Sequence, residues 1–451
     1  MRTRLRRPAM LPRSPAELLR IRPGRPSTSD AMHNAQVMRG DSIAMGIINS
    51  STPFLPVLIA RLGGSAFQIG LLTAIPAIAG FVLAIPIGQV LQRRGRVVAW
   101  YAVARMAAHL AYAVMALALV LVPRDLIVPA LLVIWAVASV PSTVGMVLFP
   151  IVMDGTAGPH GRLELMSRRW SYMGITTAIV VLIIGQFLDR LPFSLNYELV
   201  FVGFTLAGFV SFYFSRRFRI PTVESPPRPA SASIGERLRA AVALIRSQPA
   251  FVRYSIRQLV YVAGTRLVMP LFPLYYVREV QAPDAWIGII ATGQSLALLA
   301  GYQFWRRQSR LRGTRMLLLI ALFVSSLYPA VLSLTDQVVA VAALATLASF
   351  FTAGVDLILF DELMRTVPRE YGVTFVSIDT TLVNMATIVA PLAGAAVAGI
   401  AGIDVALRIG AIISLCGVVL FIQAARRRGD RPHTPGARTS PAGPEPATDQ
   451  V

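Results

Sequence analysis

Few side chains in this sequence could do chemistry, and their setting says more than their number. Asp41, Asn49, Arg266, Asp379 and Asn384 all stand inside long apolar runs. A charged group kept in hydrocarbon costs roughly 2.5–3.5 kcal/mol on the insertion scale, so it is expected to face a cavity or a partner. Arg266 is too deep in its run to snorkel and reads as an anion anchor or the mate of a carboxylate. Asp379 sits in a polar run with Ser377, Thr380, Thr381, Asn384 and Thr387. Thr380, Asn384 and Thr387 fall on one side of a helix, which predicts a wet face. A carboxylate that moves between a dry pocket and a wet or paired one can take up and release a proton. Asp379 is therefore the first candidate for proton coupling and Asp41 the second. Asn49 opens a polar patch running to Thr52 that suits hydrogen bonds to a substrate. Arg105 and His109, at i and i+4, are expected to pack or snorkel. Asp356 is close enough to the end of its run to reach headgroups, and Asp404 with Arg408 reads as a helix-surface pair.

These residues need long apolar elements to hold them. The 451 residues are 55% hydrophobic and 14% charged, against roughly 25% charged in soluble domains. The chain reads as an all-α polytopic membrane protein. Its net charge of +21 fits Arg-rich loops facing anionic lipid rather than nucleic acid. The single cysteine, Cys416, excludes a disulfide framework and a Cys-based metal site. No HExxH, P-loop or GxSxG pattern is present. No cofactor, no metal and no enzymatic reaction are expected.

About 20 apolar residues cross a bilayer. That length predicts spans near residues 38–60, 67–91, 97–122, 127–153, 171–189, 197–215, 252–277, 285–305, 314–334, 337–360, 373–398 and 404–425. The loops alternate between Arg-rich and Arg-poor, which places both termini in the cytoplasm of a cell membrane. Residues 1–35 and 429–451 read as cytosolic tails. Residues 36–219 and 251–428 are predicted six-helix bundles. Between them, residues 220–250 carry a Pro-rich linker and an amphipathic helix opening at Ser233 and Glu236.

Three features recur in matching order. Pro53-Phe54-Leu55-Pro56, followed by Gln68-Ile69-Gly70, is echoed by Pro270-Leu271-Phe272-Pro273, followed by Trp286-Ile287-Gly288. A basic turn after the second span (Gly88, Gln92, Arg93, Gly95, Arg96) is echoed by Gly301 and Arg306. Asp154 precedes Arg162 by eight residues, and Asp361 precedes Arg369 by eight. Such parallel repeats of six spans are one transporter plan.

On these residues the chain resembles the major facilitator superfamily over nearly its whole length. Where the family's basic turn carries an Asp, this chain has Gln92. The resemblance implies twelve transmembrane helices in two repeats and a secondary transporter. Its substrate would be a small molecule of unread class and its surroundings the lipid bilayer, and a monomer is expected. It also implies that the basic turns gate the cytoplasmic side, with the charged lock weakened or moved by Gln92. Two other readings stand beside it: a transport fold turned sensor or receptor, and a membrane-embedded lipid-modifying enzyme.

Overall fold

The computed structural model describes residues 28–91, 96–220, 248–312, 314–366 and 372–429. Helix is the regular structure throughout them, as hydrocarbon requires when every backbone amide must be bonded within its own segment. Eleven helical stretches are long and apolar enough to cross a membrane, and the shorter apolar helix Met316–Leu332 stands in the remaining place. Span 1 is built of two helices, Thr28–Asn49 and Ser51–Arg61. Spans 2, 3 and 6 are Ala66–Leu91, Val97–Leu121 and Leu195–Ser215. Span 7 is again two helices, Pro249–Val268 and Leu271–Arg278. Spans 8 to 12 are Asp284–Arg312, Thr314–Leu332, Val338–Thr366, Gly372–Ala401 and Ile403–Gly429. The expected amphipathic helix falls on residues 221–247, outside the described residues, as do Gln92, Arg93, Gly95 and Arg369.

Spans 4 and 5 depart from the expected loop between residues 153 and 171. Helix Ile127–Arg190 runs through both without a break in assignment. Arg169 nevertheless lies over the ring of Phe149 at 5.2 Å. Twenty residues of straight helix would hold those two groups roughly 30 Å apart. The chain must therefore double back between them, so Ile127–Thr156 and Leu165–Arg190 act as separate crossings.

The breaks in spans 1 and 7 have one cause. Proline at position 53 cannot donate to the carbonyl of Asn49, nor proline at 270 to that of Arg266. The chain turns at Ser50, whose amide bonds Gly46 and Ile47, and again at Met269 and Pro270. Each break follows a polar residue, Asn49 in one helix and Arg266 in the other. These two residues lie 217 positions apart, as do Pro53 and Pro270.

The two halves share a hydrophobic core at one end only. That cluster joins Phe54, Leu58, Ile69, Val181 and Leu188 of the first half to Leu271, Leu274, Ile287 and Ala390 of the second. At the other end each half has a core of its own, around Met38, Tyr101 and Val152 in one and around Phe251, Trp305 and Phe375 in the other. The glycines that repeat in the sequence sit on the seam. A Cβ on Gly288 would lie 3.0 Å from the Val181 carbonyl oxygen of span 5, and one on Gly70 would lie 3.4 Å from that of Pro391 in span 11. Further along the same helices the seam is open. A Cβ on Gly174 or Gly80 would meet nothing within 4 Å, and Trp170, Asn384 and Met385 are exposed.

Candidate functional site

Asn49 and Arg266 stand at the breaks, next to Ile48 and Leu267 of the shared core, and both are partly exposed. Asn49 donates from Nδ2 to the Met173 sulfur at 3.1 Å. Arg266 donates from Nη1 to the Met269 sulfur at 3.5 Å. A thioether is a weak acceptor, so both side chains keep most of their hydrogen-bonding capacity for something else. Neither is fully buried. Arg266 forms no ion pair with a described carboxylate.

The level nearer the basic turns differs sharply between the halves. In the first half, Asp41 has no exposed surface. It pairs with Arg105 of span 3 at 2.9 Å and Arg169 of span 5 at 2.7 Å. Ser211 of span 6 donates to it at 2.8 Å, and Arg105 also donates to Tyr101 at 3.0 Å. The cluster ties four helices together and carries one more positive charge than negative. Arg105 turns inward, the packing alternative of its sequence reading, and Arg169, 4% exposed within span 5, completes the cluster. Sequence alone offered no sign of it, because the three charges lie on separate helices. His109, one turn from Arg105, is half-buried, with its Nε2 out of solvent and unbonded.

In the second half the residue 217 positions after Asp41 is Gln258. It donates from Nε2 to Asp379 of span 11 at 3.3 Å. The span 1–span 5 and span 7–span 11 contacts are therefore counterparts, with an ion pair in one half and an amide–carboxylate pair in the other. Asp379 is 9% exposed and has no ion pair with a described cation. Asn384, five residues further along span 11, is exposed. Asp404 and Arg408 do not pair as their spacing suggested, since Arg408 donates to Ser333 at 3.0 Å.

Opposite the open end, polar groups close the seam. Arg61 of span 1 binds the Asp284 carboxylate through Nε at 3.0 Å and the Ala282 carbonyl through Nη2 at 3.0 Å. Tyr197 donates to the same carboxylate at 3.2 Å. Asp189 of span 5 caps span 8, accepting from the Asp284 and Ala285 amides at 2.8 and 3.1 Å. Arg278 reaches back to the Gly64 carbonyl at 2.8 Å. This set was missed in the sequence, where the Arg-poor loops seemed merely to mark topology.

The repeated turn residues lie away from this seam. Gly88 is in span 2, and Arg96 is exposed just before span 3. Asp154 and Arg162 share the helix that doubles back, and Asp361 lies in the last turns of span 10. Gly301 lets spans 8 and 10 close up, since a Cβ there would lie 2.7 Å from the Phe350 carbonyl oxygen. Arg306 is exposed one turn further.

The sequence profile described as Major Facilitator Superfamily matches residues 254–449. The match covers the second predicted half of the chain and none of the first. No curated protein matches the sequence significantly. Solved structures share its fold at low identity. A variant of the nucleoside transporter NupG superposes with a TM-score of 0.67 at 12% identity, covering 87% of this chain and 99% of its own. A bacterial homologue of the iron transporter ferroportin, in an inward-facing state, gives 0.65 at 14%, covering 88% and 99%. A bacterial homologue of the human lysosomal transporter Spinster, inward-facing and unoccupied, gives 0.62 at 13%, covering 88% and 97%. The chain is a multi-pass membrane protein with two half-bundles closed at one end and parted at the other.

Proposed function

We propose that the chain is a secondary transporter carrying a small polar solute across the cell membrane by alternating access. The observation that carries this reading is the pairing of broken helices with a one-sided seam. Polar residues at two equivalent helix breaks face a gap that opens toward the basic turns and is latched at the far end. Discontinuous helices at a repeat interface are where such carriers hold their substrates. The Arg-rich turns assign the open end to the cytoplasm, with both termini on that side. The protein works as a monomer in the bilayer, because the gap lies within a single chain.

Coupling is assigned to Asp379. An anion held out of water beside a neutral amide is costly, so this carboxyl is the group best suited to bind a proton in the arrangement seen here. Asp41, with two guanidiniums on it, is held as an anion and positions spans 1, 3, 5 and 6. A proton bound more tightly in one access state favours that state at low pH. Acid should therefore favour the cytoplasm-open state.

Single cysteines introduced as Asn384→Cys and Ala178→Cys on a Cys416→Ala background test both points. Asn384→Cys should react with an impermeant maleimide from the cytoplasmic face, and Ala178→Cys from the opposite face, more slowly as pH falls. Asp379→Asn should flatten that pH dependence. If the Ala178→Cys protein is never labelled from the opposite face, under any pH or solute, alternating access is wrong. If the pH dependence survives Asp379→Asn, Asp379 is not the coupling residue.

A further inference from the structure

The first half shows what this chain does with opposite charges that have only a structural role. Asp41, Arg105 and Arg169 close into ion pairs of 2.7–2.9 Å, with Asp41 sealed from solvent. The second half contains opposite charges that stay apart. Arg266 on span 7 and Asp356 on span 10 are within Coulombic reach of one another, yet they form no ion pair. Each keeps a neutral partner instead. Arg266 has the Met269 sulfur, and Asp356 accepts from the Tyr302 hydroxyl of span 8 at 3.1 Å. Asp356 and Tyr302 are both exposed, and Arg266 is half-buried. Spans 7, 8 and 10 thus carry a cation, a phenol and an anion, none of them sealed from solvent. Charges at membrane depth are expensive, and pairing them directly would lower that cost. Leaving them separated is explained if a bound molecule completes both.

We infer that the transported solute is a small zwitterion, its anionic group on Arg266 with Asn49 opposite, its cationic group on Asp356 and Tyr302. This inference rests on the transport reading and adds the substrate class to it. A simple anion would leave Asp356 unpaired beside it, and a simple cation would meet Arg266. Both would lose a charge-assisted hydrogen bond and gain a repulsion.

The test uses the full-length protein in lipid nanodiscs and compares probes that differ only in charge. Alanine and 4-aminobutyrate are the zwitterions. Propionate with ethylamine, and butyrate with butylamine, supply the same charges on separate molecules. At least one zwitterion should raise the thermal unfolding temperature at concentrations where its matched pair does not. Arg266→Gln and Asp356→Asn should each weaken that binding by roughly tenfold to a hundredfold, the weight of one charge-assisted hydrogen bond. Arg266→Lys and Asp356→Glu keep the charges and should retain part of the preference, which separates lost recognition from lost folding. The inference is overturned if neither zwitterion outperforms its matched pair on the wild-type protein. It is also overturned if Asp356→Asn binds the zwitterion unchanged. Two-sided labelling of Ala178→Cys and Asn384→Cys is read separately, so a failed ligand class leaves the transport reading standing.

Discussion

Asp41→Ala is expected to destabilise the protein by about 3–5 kcal/mol, the usual cost of removing one partner from a buried ion pair. The size follows from what is left behind. Asp41 has no exposed surface, and both guanidiniums that it neutralises are themselves buried. Without it, two positive charges face each other in the middle of the first half-bundle with Ser211 and Tyr101 as their remaining polar company. Arg105→Met should cost less, because it leaves Asp41 and Arg169 as a neutral pair at 2.7 Å. Unfolding temperatures of the two variants in detergent decide the matter. A larger loss for Arg105→Met than for Asp41→Ala would mean that packing, not charge, holds the four helices at this level.

The second large effect concerns the latch. Asp284→Ala removes the acceptor of Arg61 and Tyr197 together. Arg61 keeps about a quarter of its side chain exposed (26%), so solvent screening puts the pair at the low end of its range. Even so, hydrogen bonds to charged groups are worth about 1.5–3 kcal/mol each. A loss of that size moves a two-state access equilibrium about tenfold or more toward opening at this end. In the Ala178→Cys background the variant should be labelled at least about tenfold faster from the face opposite the basic turns. Gly288→Leu should act in the same direction by sterics, because its side chain would push against the Val181 carbonyl and Gly185. Unchanged labelling in both variants would show that the shared apolar core alone keeps the seam shut.

The architecture was legible because the bilayer imposes a length on each element and a charge asymmetry on each loop, and both are visible in composition. The duplication was legible because Pro53 and Pro270, or Gly70 and Gly288, serve the same backbone function in each half. Proline breaks the helix at the gap, and glycine permits close crossing at the seam. These are local requirements, and local requirements leave a spacing behind. Asn49 and Arg266 could be chosen as polar groups at depth, but their equivalence appears only when each is measured from its proline. The latch was not legible. Arg61, Asp189, Tyr197 and Asp284 stand up to 223 residues apart, and nothing in any one segment shows which turn it will meet.

By itself, then, the sequence determined the helices, their number, the repeat, and which charged residues would have to be accommodated in hydrocarbon. Tertiary structure decided which charges pair and which are left apart. Asp41 and Arg266 look alike in sequence, each a charge inside an apolar run, yet one is sealed by two guanidiniums and the other is left partly exposed without an ion pair to a described carboxylate. The difference comes from neighbouring helices, because the cost of a buried charge is set by what lies within a few ångströms of it in space, and spacing along the chain does not record that.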